Sequence, residues 1–175
     1  MKKKFNLIID VDGVMTPGEF TYSAKGKIYK NFGADDNDAL KIIEDFVKDI
    51  VFITGDKKGF KISKRRIQQD MGYKIFLVST VKRLDWIQSN YSLKDVIYIG
   101  DGIFDILVFK KVKYSISVLN ALDHTKKYCN YVTNRKGGDR AVAEAAMHIL
   151  KKFFKINNFE QCLKKNKKFS GSWTS

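Results

Sequence analysis

Short apolar segments rich in β-branched residues alternate along the chain with longer stretches of helical periodicity. The apolar segments are typical of buried strands and lie at residues 7–9, 50–53, 75–77, 96–99 and 114–117. The stretches between and after them predict helices at residues 38–47, 59–71, 81–90, 104–110 and 139–154. This alternation predicts an α/β fold, with a Rossmann-like parallel sheet and helices on both of its faces.

One segment, residues 15–35, interrupts the alternation directly after the first strand. Two extended stretches, 19–23 and 27–32, lie on either side of a turn at residues 24–26, and they predict a β-hairpin flap beside the active edge of the sheet. An isolated hairpin is only marginally stable in water. The flap is therefore expected to pack on another surface, for which a second subunit is one candidate.

The length and the charge of the chain limit the number of domains and the kinds of ligand to be expected. Its 175 residues predict one domain, placed at 1–156 and followed by a basic tail at 157–175 that is disordered or weakly docked. A formal net charge of +14 is compatible with a nucleic-acid surface, with the gathering of small anions or with a simple solvated surface. Because the lysines are spread along the whole chain, nucleic acid is not favoured as the main ligand.

The apolar segments and the cysteines indicate the cellular compartment of the protein. No apolar run in the sequence is long enough to cross a bilayer, so no membrane partner is expected. Cys129 and Cys162 form neither a disulfide framework nor a zinc pattern. A reducing cytoplasm is the expected compartment.

Two carboxylates follow the first predicted strand. Asp10 and Asp12 lean to the same side of an extended backbone, at the edge where open α/β sheets place their chemistry. Two like charges this close repel unless a cation or a proton lies between them. Gly13 then lets the chain turn away without a side chain in the way. A carboxylate nucleophile, a second carboxyl group and a hard cation are one known means of phosphoryl transfer.

A second acidic pair follows the fourth predicted strand. Asp101 and Asp105 are one helical turn apart, so both can face the same point. Magnesium prefers a few carboxylates together with water and phosphate oxygens. The alternative is that either residue caps the helix that begins near Phe104.

Two further groups lie close to strand ends. Thr54 and Gly55 end the second strand, where a hydroxyl and backbone N–H groups can hold a phosphate oxygen. The alternative for Thr54 is a helix cap. Lys82 follows the third strand, and its ammonium can offset charge on phosphoryl oxygens. The alternative for Lys82 is an ordinary surface lysine.

The order and spacing of these motifs resemble those of the haloacid dehalogenase-like phosphatases. The matching motifs are Asp10-x-Asp12-Gly13-Val14-x-Thr16, Thr54-Gly55, Lys82 and Gly100-Asp101-x-x-x-Asp105. The resemblance runs from about residue 5 to residue 150. The flap with its Lys30-Asn31-Phe32 run, Asp36 and the stretch 131–144 are similar to a small capless branch. That branch includes 3-deoxy-D-manno-octulosonate 8-phosphate phosphatase and the 9-phosphate phosphatases of nine-carbon sugar acids.

The resemblance implies a separate role in catalysis, phosphate binding or metal binding for each of these residues. Asp10 would attack phosphorus and form an aspartyl-phosphate, while Asp12 would protonate the leaving alkoxide and then activate water. The phosphoryl group would be bound by Thr54, Gly55 and Lys82. A Mg²⁺ cofactor would be held by Asp10, the backbone carbonyl of Asp12 and Asp101, with Asp105 in support. Members of this branch form tetramers through their flaps, so a homotetramer is expected.

The substrate implied by the resemblance is a phosphorylated sugar acid. Octulosonate enzymes usually carry Arg where this chain has Asp56, and the nine-carbon type carries Glu there, so Asp56 is a candidate substrate-binding residue. Arginine is also replaced at Asp35 and Ala143, and Arg140 replaces a glycine. Arginine suits a carboxylate through paired hydrogen bonds. The expected activity is that of an octulosonate-type phosphatase. The alternatives are a nine-carbon sugar acid phosphatase and a non-catalytic basic binding protein on the same fold.

Overall fold

The computed structural model describes residues 4–163. Within that range the strands, in chain order, are β1 (Asn6–Asp10), β2 (Thr21–Ser23), β3 (Gly26–Tyr29), β4 (Asp49–Thr54), β5 (Lys74–Leu77), β6 (Val96–Ile99), β7 (Tyr114–Ser117) and β8 (Tyr131–Val132). Six of them form one sheet in the order β5-β4-β1-β6-β7-β8, and every neighbouring pair in it is parallel. Strands β2 and β3 form a separate antiparallel hairpin, which is the flap.

The helices of the described range are α1 (Asp36–Ile43), α2 (Phe60–Lys64), α3 (Arg83–Asn90), α4 (Asp105–Phe109), α5 (Asp123–Lys126), α6 (Ala141–Phe154) and α7 (Glu160–Leu163). Helix α2 continues into a π-helical segment, Arg65–Asp70. A 3-10 turn, Thr80–Lys82, leads directly into α3. None of these helices is both long and apolar enough to cross a membrane.

Both faces of the sheet are covered, as the alternation in the sequence predicts. Successive side chains of a strand point to opposite faces. In β1, Leu7 and Ile9 accordingly pack into a cluster that includes residues of α1 and α6, while Ile8 packs into a second cluster with residues of α3 and α4. All three β1 side chains are fully buried. The sheet is therefore the middle layer of three, and its strands are buried on both faces.

Strand β1 lies at the point where the chain changes direction across the sheet. Its neighbours are β4 on one side and β6 on the other. Ligands of open α/β sheets bind outside the carboxyl ends of the strands at such a switch point. The sheet therefore brings Asp10, Thr54 and the residues that follow β6 to the same edge.

The five predicted strands are confirmed, with β1, β4 and β5 each starting one residue earlier and with β1 and β4 ending one residue later than predicted. The helix predicted at 38–47 starts and ends earlier, at Asp36–Ile43. Strand β8 and helices α5 and α7 were not predicted, because two to four residues are too few to show a periodicity.

Part of the predicted basic tail lies within the described residues. Helix α7 lies within the predicted tail 157–175, and its Cys162 is buried in the core cluster, with Phe159 packed against it. Packing on the domain thus continues at least to α7. The remainder of the predicted tail, from residue 164 onward, lies outside the described residues.

Candidate active site

Three carboxylates meet at the edge of the sheet. Asp10 ends β1, Asp101 follows β6, and Asp105 begins α4. One oxygen of each lies within 4.8 Å of those of the other two. Asp10 and Asp105 are buried, and Asp101 is partly buried. The predicted convergence of the two acidic motifs is therefore present in the structure.

The turn after β1 is shaped to receive Asp101. Gly13 has a φ of +91°, and a Cβ atom placed on it would overlap with the Asp101 carboxylate. Thr16 closes the same turn, since its hydroxyl oxygen accepts hydrogen bonds from the N–H groups of Gly13 and Gly18 at 3.3 and 3.4 Å. The glycine predicted to let the chain turn away also allows the second acidic motif to approach the first.

A buried arginine joins the carboxylates. Arg83 donates from Nη1 and Nη2 to the two oxygens of Asp10, at 2.6 and 2.8 Å, and from Nη1 to Asp105 at 2.6 Å. The hydroxyl of Tyr98 also donates to Asp105, at 2.7 Å. A guanidinium fork can satisfy two carboxylates at once in fixed geometry. Arg83 therefore fixes the orientation of Asp10 and links it to Asp105.

The structure places the predicted Lys82 elsewhere, and this part of the predicted site needs correction. The Lys82 side chain is 71% exposed and pairs with Asp85 at 3.2 Å. Consecutive residues of a helical turn point about 100° apart, so when Arg83 faces the site Lys82 faces solvent. The sequence does carry a signal for Arg83, because it lies one helical turn before the buried Ile87 and shares its face of α3.

Asp12 makes one contact through each of its carboxylate oxygens. Its Oδ2 accepts a hydrogen bond from the Thr54 hydroxyl at 2.8 Å, and its Oδ1 forms an ion pair with Lys30 at 2.6 Å. Its side chain retains 16% exposure. The predicted pair Asp12 and Thr54 is therefore in direct contact. Lys30 comes from the flap, and the sequence singled it out only as part of a run.

Gly55 and Asp56 follow Thr54 on the loop after β4. A Cβ on Gly55 would lie 2.9 Å from the Thr80 methyl carbon, so the glycine permits close approach of the loop before α3. Asp56 pairs with two flap lysines, Lys27 and Lys30. Burial raises the pKa of Asp56, but the hydrogen bonds from these lysines outweigh burial and lower that pKa to about 2.

The electrostatics of the acidic cluster fit a divalent cation. Burial and the neighbouring Asp105 charge raise the pKa of Asp101 to about 7, and its buried Oδ1 accepts no hydrogen bond from any described residue. Burial also raises the pKa of Asp10, and Arg83 opposes that shift. Three carboxylates share one cation, Arg83, so negative charge remains in excess in the cluster, and carboxylate oxygens are ligands that Mg²⁺ prefers. Asp10 and Asp101 therefore form a suitable Mg²⁺ site, which Asp105 supports.

Comparisons with known proteins identify the family of this chain. Residues 81–146 match the family of haloacid dehalogenase-like hydrolases. The chain is 29% identical over 159 residues to 3-deoxy-D-manno-octulosonate 8-phosphate phosphatase of Haemophilus influenzae, covering 88% of this chain and 87% of that protein. It is 30% identical over 150 residues to the Yersinia pestis phosphatase of the same name, covering 82% of this chain and 78% of that protein.

The fold is also similar to a solved structure with ligands. The 3-deoxy-D-manno-octulosonate 8-phosphate phosphatase of Moraxella catarrhalis, in complex with a magnesium ion, a phosphate ion and a KDO molecule, superposes with a TM-score of 0.77. It is 25% identical, and the match covers 91% of each chain. By its sequence, its sheet and its acidic cluster, this chain is a phosphatase that belongs to the haloacid dehalogenase-like hydrolases, in the branch of the 3-deoxy-D-manno-octulosonate 8-phosphate phosphatases.

Proposed function

We propose that the protein is a Mg²⁺-dependent phosphatase that hydrolyses the phosphate monoester of a sugar acid such as 3-deoxy-D-manno-octulosonate 8-phosphate. The observation that supports this most strongly is the convergence of Asp10, Asp101 and Asp105 around one point, with Arg83 fixing Asp10. The similarity to octulosonate phosphatases over most of the chain supports the sugar-acid substrate.

In the proposed reaction, an oxygen of Asp10 attacks phosphorus while the bond to the sugar oxygen breaks. The electron pair of that bond goes to the leaving oxygen, and the Asp12 carboxyl group supplies its proton. Water then attacks the phosphorus of the aspartyl-phosphate, and Asp12 accepts a proton from it. The Asp10–phosphorus bond breaks, which releases inorganic phosphate and restores both carboxyl groups.

The remaining residues hold the phosphoryl group and the metal. The Thr54 hydroxyl and the Gly55 N–H are proposed to bind phosphoryl oxygens, and Arg83 takes the electrostatic role that the sequence assigned to Lys82. Mg²⁺ would be held by Asp10, Asp101 and the backbone carbonyl of Asp12, with Asp105 in support. When bound there, it supplies positive charge to the phosphoryl oxygens.

One observation favours a second candidate substrate. Asp56 lies on the loop after Thr54 and pairs with the flap lysines, at the position where the octulosonate enzymes usually have arginine. The nine-carbon type carries Glu at this position, which is acidic as Asp56 is. A nine-carbon sugar acid 9-phosphate is therefore the second candidate.

The flap is proposed to join subunits into a homotetramer. Tyr22, Ile28 and Tyr29 on the hairpin are 55%, 49% and 51% exposed, and exposed apolar side chains on one small element favour an association surface. The double variant Tyr22→Ser, Ile28→Ser retains the flap lysines. It is expected to have a smaller mass by light scattering than the wild type, and an unchanged mass would contradict the assembly.

A substrate panel tests the activity itself. Phosphorylated sugar acids of eight and nine carbons are assayed with Mg²⁺, and kcat/KM is ranked. We expect one of them to exceed p-nitrophenyl phosphate by a wide margin, and Asp10→Asn to abolish hydrolysis of all. Equal and poor activity on every sugar acid would reject the substrate class. No hydrolysis of any ester would favour the alternative of a non-catalytic basic binding protein.

A further inference from the structure

Lys30 is a buried cation that the proposed reaction does not use. Its side chain is fully buried, although lysine is almost never buried without a specific partner. Three oxygens surround its ammonium: Asp12 Oδ1 at 2.6 Å, Ser63 Oγ at 2.8 Å and Asp56 Oδ2 at 2.9 Å. The ammonium donates a hydrogen bond to Ser63 and forms ion pairs with the carboxylates of Asp12 and Asp56. Groups of the protein therefore fix the position of the Lys30 ammonium.

The charges around Lys30 indicate which of its partners depends on it. Asp56 has a second cation, Lys27, and it also accepts a hydrogen bond from the N–H of Gly59 at 3.0 Å. Asp12 forms ion pairs within the described residues with Lys30 alone. Removal of Lys30 would leave Asp56 neutralised by Lys27. It would leave Asp12 held on one oxygen only, by Thr54.

The packing around Lys30 shows that this arrangement is built into the fold. Gly59 lies beside Asp56 and both flap lysines. A Cβ on it would overlap with the Asp56 carboxylate and would be 2.7 Å from Lys30 Cε and 3.0 Å from Lys27 Cδ. The ammonium of Lys27 also lies over the ring of Phe20, 3.4 Å from its centroid, which adds a cation–π contact. The flap thus meets the loop after β4 through two neutralised lysines rather than through an apolar surface.

We propose that Lys30 is a positioning residue that reaches from the flap to hold the Asp12 carboxylate in the orientation needed to accept a proton from water. The inference rests on the proposed function, because the step concerned is hydrolysis of the aspartyl-phosphate. In that step water attacks phosphorus, Asp12 takes the proton, and the electron pair of the breaking bond returns to Asp10. The earlier attack by Asp10 on an ester with a good leaving group does not require Asp12.

The proposal separates two kinetic constants for p-nitrophenyl phosphate. The value of kcat/KM covers steps up to the release of p-nitrophenolate, whereas kcat includes hydrolysis of the intermediate. For Lys30→Met, kcat is expected to fall about 10- to 100-fold, while kcat/KM changes by less than about 3-fold. The loss is smaller than the roughly 100- to 10,000-fold typical of a removed general base, because Asp12 is misplaced and not removed. A rapid burst of p-nitrophenolate equal to the enzyme concentration should then precede slow turnover.

Lys27→Met is the matched control, because it removes the other flap lysine without touching Asp12. It is expected to show no burst and to change kcat and kcat/KM by similar factors. If Lys30→Met lowers both constants equally and shows no burst, Lys30 only holds the flap and the proposal is wrong. Absence of hydrolysis by the wild type in Mg²⁺ would instead reject the proposed function and, with it, this inference.

A second variant tests the positioning role of Lys30 if Lys30→Met does not fold. Gly59→Ala keeps both lysines and their charges, but its methyl group displaces the Asp56 carboxylate and the two lysine stems that pair with it from the observed positions. It should show the same loss of kcat and the same burst, to a smaller extent. Gly59→Ala with unchanged kcat and no burst would overturn the proposal independently.

Discussion

Arg83 and Asp10 form a bidentate pair, with two N–H···O distances of 2.6 and 2.8 Å and a side-chain exposure of 4% or less on both partners. The same guanidinium also bonds Asp105. One cation therefore neutralises charge on two buried carboxylates, and its planar fork sets their relative positions. Such an arrangement is sensitive to the shape of the cation as well as to its charge.

The first prediction follows from that sensitivity. Arg83→Met would leave Asp10 and Asp105 buried without their cation, so we expect a loss of about 3–5 kcal/mol in the free energy of unfolding and no measurable phosphatase activity. Arg83→Lys keeps the charge but cannot bond both carboxylates in the same way. Its kcat is expected to fall at least about 10-fold with a smaller loss of stability.

The adjacent Lys82 provides the control for Arg83. Because it is exposed and pairs only with Asp85 within the described residues, Lys82→Met should retain kcat/KM within about 2-fold of the wild type, as exposed ion pairs contribute little. Steady-state assays and denaturant unfolding of the three variants measure both effects. A severe loss of activity in Lys82→Met, with Arg83→Lys near normal, would restore the assignment made from the sequence.

The second prediction concerns Gly13. Gly13→Ala places a methyl group against the Asp101 carboxylate at a φ of +91°, so it should displace Asp101 and weaken Mg²⁺ binding at least about 10-fold. Gly72→Ala is the matched control, since Gly72 has a φ of +82° and a Cβ atom placed on it would have no atom within 4 Å. It should lose about 1–2 kcal/mol of stability and no Mg²⁺ affinity. Equal effects of the two variants on metal binding, measured by calorimetry, would contradict the close approach of Gly13 to Asp101.

Most of the sheet and the acidic motifs could be predicted because both depend on local sequence. The strands of a doubly covered sheet are continuous apolar runs, and Asp10 and Asp101 follow two of them directly. The choice between Lys82 and Arg83 is less direct, because the spacing of Arg83 to Ile87 favours Arg83 only once the start of the helix is known. The 3-10 turn at Thr80–Lys82 places Arg83 as the first residue of α3 and so determines which of the two cations faces the site.

The role of Lys30 could not be predicted from the sequence, for a different reason. The flap strands are short and largely exposed, so no alternation of polar and apolar residues shows which flap side chain turns inward. Lys30 becomes buried only because Asp12, Asp56 and Ser63, which are distant in sequence, supply oxygens to it. Contacts of this kind depend on the tertiary fold.

The third prediction concerns Asp36 and pH. Asp36 is fully buried and accepts a hydrogen bond at 2.9 Å from the N–H of Ala143, in the first turn of α6. Burial raises its pKa from 3.8 to about 6, so between these values the folded protein binds the proton more tightly than the unfolded chain. The contribution of Asp36 to stability is therefore greatest below pH 4 and declines as pH rises to about 6, by about 2–3 kcal/mol in total.

Asp36→Asn tests this assignment, because asparagine keeps an oxygen acceptor for Ala143 but does not titrate. Other carboxylates change the absolute stability in the same pH range, so the relevant quantity is the difference between variant and wild type. The free energy of unfolding of Asp36→Asn, relative to the wild type, should rise between pH 4 and pH 6 and then level off. A difference that is constant with pH would mean that Asp36 is ionised throughout.

The last prediction concerns the metal without any turnover. A ligand that binds only the folded state at about 100 times its Kd stabilises that state by about 2.7 kcal/mol. For a chain of this size, Mg²⁺ should therefore raise Tm by about 5–10 °C. Asp101→Asn removes a proposed ligand whose Oδ1 accepts no hydrogen bond from the described residues, so most of this rise should disappear.

Asp85→Asn is the control for Asp101→Asn, since it removes a carboxylate of α3 that is 64% exposed and pairs with Lys82. It should retain the full Mg²⁺-dependent rise in Tm. The measurement is a thermal scan by circular dichroism with and without Mg²⁺, and it is independent of substrate. If Asp101→Asn were stabilised by Mg²⁺ as much as the wild type is, the metal would bind elsewhere, and the acidic cluster would be held together by Arg83 alone.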